Sequence, residues 1–253
     1  MRLFRLGTVM LLLISSYSFA GGVIRFATEA SYPPFESINK DHQFVGFDID
    51  LARAICSKMN KHCVFSHQPF DSLLASIEFG RYDAAISALD ITPDRLKQVA
   101  FSRPYLFNGA VFLVHKNRFE HQRDLYRGVI AVQNGSTQQK YLLDRFVERG
   151  ATVVPYASYQ MALNDLAHHK VDSVFVDQAV AMDWLKKHPS FTILGWDIVN
   201  KKYFGDGLGI AVRKGNKQLV RQINSALKSI KASGVYQKIY QKYFVAGVSI
   251  SQS

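Results

Sequence analysis

Short, strongly apolar runs alternate along this chain with longer stretches whose apolar positions recur every three or four residues. Val23 to Thr28 reads as a strand, and Asp48 to Met59 as a helix with Ile49, Ala52, Cys56 and Met59 on one face. Val64 to Ser66 is short and extended, Asp71 to Phe79 helical, and Asp83 to Ser87 a further buried strand. Thr92-Pro93-Asp94-Arg95 opens another helix, with a hydroxyl cap, a proline in the first turn and an acid at the positive end. The second half repeats the rhythm: strands at Val129–Gln133, Thr152–Tyr156 and Asp172–Val176, helices at Thr137–Arg149, Ser158–His168 and Gln178–Lys187. Such alternation predicts parallel sheets built from strand–helix–strand units. Two long apolar runs, Gly109–His115 and Gly207–Arg213, break the rhythm and are candidate crossings between two lobes. The helices expected at Gln218–Ser233 and Val235–Phe244 would then return to the first lobe.

The N-terminus sets the expected compartment. Arg2 and Arg5 precede an apolar core from Val9 to Ile14, and Ser18-Phe19-Ala20 places small residues where a signal peptidase cuts. The span is short for a membrane anchor, and no cysteine follows it to carry a lipid. Export to the periplasm is the expectation, with cleavage after Ala20 taking the formal charge from +11 to +9. The basic excess raises nucleic acid as a partner, but an exported chain whose lysines fall on helix faces argues against it. The two cysteines, Cys56 and Cys63, can pair in an oxidising space; free thiols or a metal site with His62 or His67 are the alternatives.

Several motifs together resemble one family, the periplasmic polar amino-acid-binding proteins of ABC importers. They are Phe26 to Glu36 (FATEASYPPFE), Val45 to Ala52 (VGFDIDLA), Asp90 to Arg95 (DITPDR), Phe101 to Tyr105 (FSRPY) and Val132 to Thr137 (VQNGST). The resemblance runs in order through essentially the whole chain after Gly22 and is nearest to the arginine-binding branch. It implies an α/β, two-lobed periplasmic-binding-protein fold of the Venus-flytrap type, each lobe a mostly parallel sheet flanked by helices. Residues 21–108 with 206–253 would form lobe I and 109–205 lobe II, joined by a two-strand hinge near Phe107–Ala110 and Tyr203–Gly207. The Cys56–Cys63 spacing looks like the disulfide of the histidine- and lysine/arginine/ornithine-binding members. Catalysis, cofactors and metal are not implied.

A free amino acid brings a carboxylate, an ammonium and a side chain, and a receptor must bury all three with partners. Arg95 matches the carboxylate position, where a planar guanidinium can hold both oxygens. Ser136 and Thr137, opening a helix after a strand, would supplement it. By resemblance Asp177 takes the α-ammonium, although helix capping is an equally local role for it. Ser87 and Ala88 would add a hydroxyl and carbonyls; Ala88 stands where family members often carry a second serine. Glu29, Asp90 and Gln138 match positions lining the side-chain pocket, with Tyr32 and Phe70 as aromatic walls. Two acids there call for a cation, and a guanidinium can satisfy both while stacking on the rings.

The resulting expectation is a monomeric receptor that binds a cationic L-amino acid, above all L-arginine, and delivers it to an inner-membrane permease. Lysine, ornithine, histidine and glutamine are alternative ligands. A secreted enzyme resembling cyclohexadienyl dehydratase is a rival on the same scaffold, disfavoured by the acidic pair. A signalling role would need a sensor partner. Gly205 to Gly209 is glycine-rich but precedes a strand, so it is no dinucleotide fingerprint, and His168 and His169 make a poor metal pair.

Overall fold

The computed structural model describes residues 22–244; the leader expected over residues 1–20 lies outside them. Two five-stranded sheets carry the architecture. The first is built from β1 (Val23–Thr28), β5 (His62–His67), β6 (Ala84–Ala85), β7 (Val99–Phe101) and β13 (Ala211–Arg213), in the order β5-β1-β6-β13-β7. The second contains β8 (Ala110–His115), β9 (Val129–Gln133), β10 (Thr152–Tyr156), β11 (Ser173–Asp177) and β12 (Phe191–Ile198), in the order β10-β9-β11-β8-β12. A small antiparallel sheet of β2 (Ser31–Tyr32), β3 (Glu36–Ile38) and β4 (Phe44–Val45) sits beside the first. β1 pairs in parallel with β5 and β6, and β9 with β10 and β11. In each large sheet a single strand runs against the others: β13 in the first, β8 in the second. Each is the strand the chain enters on arriving from the other lobe.

Gly109–His115 is therefore mainly the strand β8, with the crossing just ahead of it, whereas in Gly207–Arg213 only Ala211–Arg213 is strand and the residues before it belong to the second crossing. The second crossing carries one helical turn, α7 (Lys201–Phe204), where Tyr203–Gly207 was expected to be a hinge strand. Beyond it the crossings pair: Leu208 N–H donates to Leu106 O at 2.8 Å, and Tyr105 N–H to Leu208 O at 2.9 Å. Ile91 N–H also bonds Gly207 O at 2.8 Å, so the crossings are tied to the segment bearing Asp90. The glycines of this run serve close packing. At Gly205 (φ +63°) a Cβ would lie 1.8 Å from Ile91 O, which no other residue could accommodate.

Both faces of the first sheet are covered, as its nearly continuous apolar strands require. Phe26 packs with α1 (Phe47–Lys58), while Ala27 faces the cluster of Leu73, Ile77 and Leu89 on the other side with α2 (Leu73–Glu78). The C-terminal helices α8 (Lys217–Ala232) and α9 (Val235–Tyr243) pack on α1, as expected of helices returning to the first lobe. Thr92 accepts from Arg95 N–H to cap α3 (Pro93–Gln98), Ser136 from Gln139 N–H for α4 (Thr137–Arg145), and Ser158 from Met161 N–H for α5 (Tyr159–Ala167). A disulfide joins Cys56 near the end of α1 to Cys63 in β5. The helix expected from Asp71 opens as a 3-10 turn over Phe70–Ser72. The strand expected at Asp83–Ser87 is short because the chain turns at Ser87–Ala88, with Ala88 in the left-handed region at φ +43°.

Candidate functional site

Parallel strands end their backbone ladders at carboxyl termini, where loops can project side chains into a crevice. Four such ends converge here. β1 leads to Glu29, β6 to Ser87 through Asp90, β9 to Gly135 through Gln138, and β11 ends on Asp177. Glu29, Asp90, Arg95, Ser136, Thr137, Gln138 and Asp177 are all buried, as are Ser87, Ala88 and Tyr32.

The lobes are closed upon one another. Tyr32 Oη donates to Asp177 Oδ2 at 2.7 Å, and its ring stacks on Tyr159 of α5 with centroids 5.0 Å apart. The Thr137 hydroxyl donates to the Asp90 carboxylate, and Asn134 Nδ2 to Asp71 Oδ2 at 3.0 Å. Lys140 pairs with Asp94 at the rim. Gln138 Nε2 holds the second oxygen of Asp177 at 2.7 Å. Asp177 precedes α6 (Gln178–Leu185), yet its side chain makes no cap bond to that helix. The local alternative of capping thus gives way to cleft contacts.

Arg95 extends from α3 toward both lobes, donating from Nη1 to Asp90 O at 3.1 Å, with Nη2 3.5 Å from Gly135 O. Phe70, expected to cover a ligand cation, here covers the Arg95 guanidinium at 5.6 Å, and Tyr32, the other expected wall, packs against Tyr159 and Phe35. Ser136 caps α4 and donates its own hydroxyl to Gln133 O at 2.7 Å. Ser87 Oγ accepts from Glu29 N–H at 3.0 Å. Glu29 Oε1 takes the Ser31 hydroxyl, while Glu29 Oε2 is buried without a partner.

Burial dominates the electrostatics. It raises the Asp177 carboxyl to about 8, with the nearby Asp90 charge adding to the shift, and raises Asp90 to about 6 against the opposing pull of Arg95. Glu29 is also raised by burial, and burial lowers Arg95 while Asp90 and Asp177 support its charge. Sequence reasoning set Glu29 against Asp90, but the carboxyl that acts on Asp177 is Asp90, and Glu29 faces Ser31, His67 and Gln133. The site therefore holds two buried carboxyls, Asp90 and Asp177, acting on the buried Arg95 guanidinium, with Glu29 as a third buried carboxyl at the end of β1. Such a set is complementary to a small molecule carrying two cationic groups and one carboxylate.

The residues that the sequence did not single out are those behind the site. Glu36 accepts from Ser87 Oγ at 2.8 Å, Asp48 from Ala88 N–H at 2.8 Å, and Tyr159 backs Tyr32. The only sequence signal for Glu36 and Asp48 was membership of the motifs around Phe35 and Phe47, and Tyr159 had only its place in the helix after Ser158.

Residues 24–246 match the profile of the bacterial extracellular solute-binding proteins, family 3. The chain belongs to this family. Among its relatives is the putative ABC transporter arginine-binding protein 2 of Escherichia coli (strain K12), 48% identical over 225 residues, covering 89% of this chain and 92% of that protein. The ABC transporter arginine-binding protein 1 of the same strain is 45% identical over 239 residues, 93% and 98% of the two chains. A solved periplasmic binding protein of Salmonella typhimurium, described for its high arginine specificity, superposes with a TM-score of 0.85. It is 40% identical and covers 89% of this chain and 100% of that one. In this family 3 solute-binding protein, no helix among the described residues is long and apolar enough to cross a membrane.

Proposed function

We propose that this chain is a periplasmic receptor that closes on a cationic L-amino acid, above all L-arginine, and delivers it to an ABC-type permease. The observation that carries the reading is that Asp90 and Asp177, which act on the buried Arg95, are buried where contacts join the lobes, with Glu29 a further buried acid at a strand end. Arg95 takes the ligand carboxylate, with Ser136 and Thr137 beside it; Asp177 takes the α-ammonium, with Ser87 and Ala88 beside it. Glu29 and Asp90 share the side-chain cation, with Gln138, Tyr32 and Phe70 completing the pocket. Phe70 and Tyr32 then re-pair from Arg95 and Tyr159 onto the ligand. The lobes, 21–108 with 206–253 and 109–205, hinge where Leu106 meets Leu208. The receptor is exported by its leader, acts as a monomer and performs no chemistry on its cargo.

Thermal denaturation across the amino acids tests this. Arginine at about a hundredfold excess over its dissociation constant adds roughly 2.7 kcal/mol, a rise of about 5–11 °C for a chain of this size. Glutamine, of similar reach but without a side-chain cation, raises it less, and Asp90→Asn narrows the difference. A wild-type preference for glutamine refutes the assignment of the cation pocket.

A further inference from the structure

The corner at Ser87–Ala88 is held by two acids that lie behind the cleft. Ser87 Oγ donates to Glu36 Oε1 at 2.8 Å, and Ala88 N–H donates to Asp48 Oδ2 at 2.8 Å. Tyr105 Oη donates to the same Asp48 oxygen at 2.8 Å. Glu36 comes from β3 and Asp48 from the first turn of α1; both are fully buried. Each keeps one oxygen, Glu36 Oε2 and Asp48 Oδ1, without a donor from any other residue, and the two carboxyls lie within hydrogen-bonding reach of each other. Two buried carboxylates in contact repel strongly, so the pair cannot stay doubly ionised. Asp48 already accepts two hydrogen bonds and Glu36 one, which favours the carboxylate on Asp48 and the proton on Glu36. Glu29, Tyr105 and Tyr236 of α9 are the titratable groups that face the pair. Burial raises both acids, Asp48 to about 7 and Glu36 well above the ordinary range, in the direction this arrangement requires.

Ala88 matters for a second reason. A non-glycine residue at φ +43° persists only where its surroundings hold it there. The bonds from Ser87 to Glu36 and from Ala88 to Asp48 supply that hold.

We propose that Glu36 and Asp48 share one proton as an acid–carboxylate pair, Glu36 donating to Asp48, and that this pair positions the Ser87–Ala88 corner and thereby sets ligand affinity without touching the ligand. The affinity half rests on the receptor reading above; the shared proton does not. The pair is a positioning device, and its signature is reciprocity of donors and acceptors. Glu36→Gln replaces the acid by an amide that still donates to Asp48 and accepts from Ser87. Asp48→Asn still accepts from Ala88 and Tyr105 and donates to an ionised Glu36. With both substitutions, two amide N–H groups face each other and no arrangement satisfies the corner.

Calorimetry with L-arginine on the full mature chain reads this. Each single amide variant keeps its dissociation constant within about threefold of wild type. Glu36→Ala weakens binding by about tenfold or more, and the double amide weakens it by at least about tenfold beyond the product of the singles. Additive amide effects overturn the shared-proton pair. A ligand-free measurement covers the case in which the double variant does not fold. The infrared difference spectrum between wild type and Glu36→Gln at neutral pH shows the loss of one buried protonated carboxyl component, distinct from that of Asp177, which both proteins and not Asp177→Asn retain. No loss of a protonated carboxyl component on Glu36→Gln also overturns the proposal. Failure of wild type to bind arginine would count against the receptor reading and leave the infrared result to decide the pair.

Discussion

Binding a cationic amino acid should expel protons from this cleft. Asp177 sits at about 8 and Asp90 at about 6, both raised by burial. A carboxyl at about 8 is roughly 90% protonated at pH 7, and one at about 6 roughly 10%. An ammonium on Asp177 and a side-chain cation near Asp90 favour the ionised forms, so the bound state holds both near full ionisation. Arginine binding at pH 7 then releases about one proton, and near pH 5, where both carboxyls start protonated, it releases close to two. The sign follows: a cation that lowers a raised carboxyl makes affinity rise with pH through the free-state values and level off above them. Ionising Asp177 at pH 7 costs about 1.4 kcal/mol, so affinity at pH 7 is about tenfold below its plateau. Calorimetry in buffers of different ionisation enthalpy measures the protons directly, with the titration kept below the point where the ligand's own amino group deprotonates. Glutamine should match arginine near pH 7 but release fewer protons near pH 5, because only arginine brings a cation to Asp90. Asp177→Asn should remove the slope between pH 6 and 8 and bind more weakly. No proton release at pH 7, with a flat affinity profile, would refute the reasoning: the carboxyls would already be ionised before ligand arrives.

Arg95→Ala should weaken every amino acid tested by more than about a hundredfold, since an unpaired carboxylate in the closed cleft costs about 3–5 kcal/mol; near-normal calorimetric affinity would remove Arg95 from the site. Replacing Cys56 and Cys63 together by alanine should lower unfolding free energy by about 2–3 kcal/mol, the closure entropy of so short a loop, with arginine affinity nearly unchanged; urea midpoints and calorimetry check both halves. Solution scattering should show the chain contracting when arginine is added, because Tyr32–Asp177 and Asn134–Asp71 form only with the lobes closed. An unchanged radius at saturation would mean that closure precedes the ligand or that the lobes do not move.

What the sequence determined by itself was local. The alternation of apolar runs predicted strands that reappear within a residue or two at Val23–Thr28, Val129–Gln133 and Thr152–Tyr156. Thr92, Ser136 and Ser158 cap the helices their positions announced, because a cap bond spans only three residues. The residues put forward for binding gathered as a set for a related reason: strand ends are visible in the pattern, and parallel sheets bring their carboxyl ends to one edge. Tertiary structure decided who meets whom. Tyr32 reaches Asp177 across 145 residues and Thr137 reaches Asp90 across 47, contacts that exist only because two separately wound sheets face each other. The same distance hid the support of the site. Glu36 and Asp48 lie 51 and 40 residues from the corner they hold, and an alanine at Ala88 carries no local sign that its backbone turns left-handed. Asp177 had a local alternative in capping α6, which the cleft contacts displace, and Phe70, expected to cover a ligand cation, covers Arg95. Periodicity and capping are settled within one or two turns of chain, whereas burial, shared protons and ring stacking depend on the packing of elements far apart in sequence.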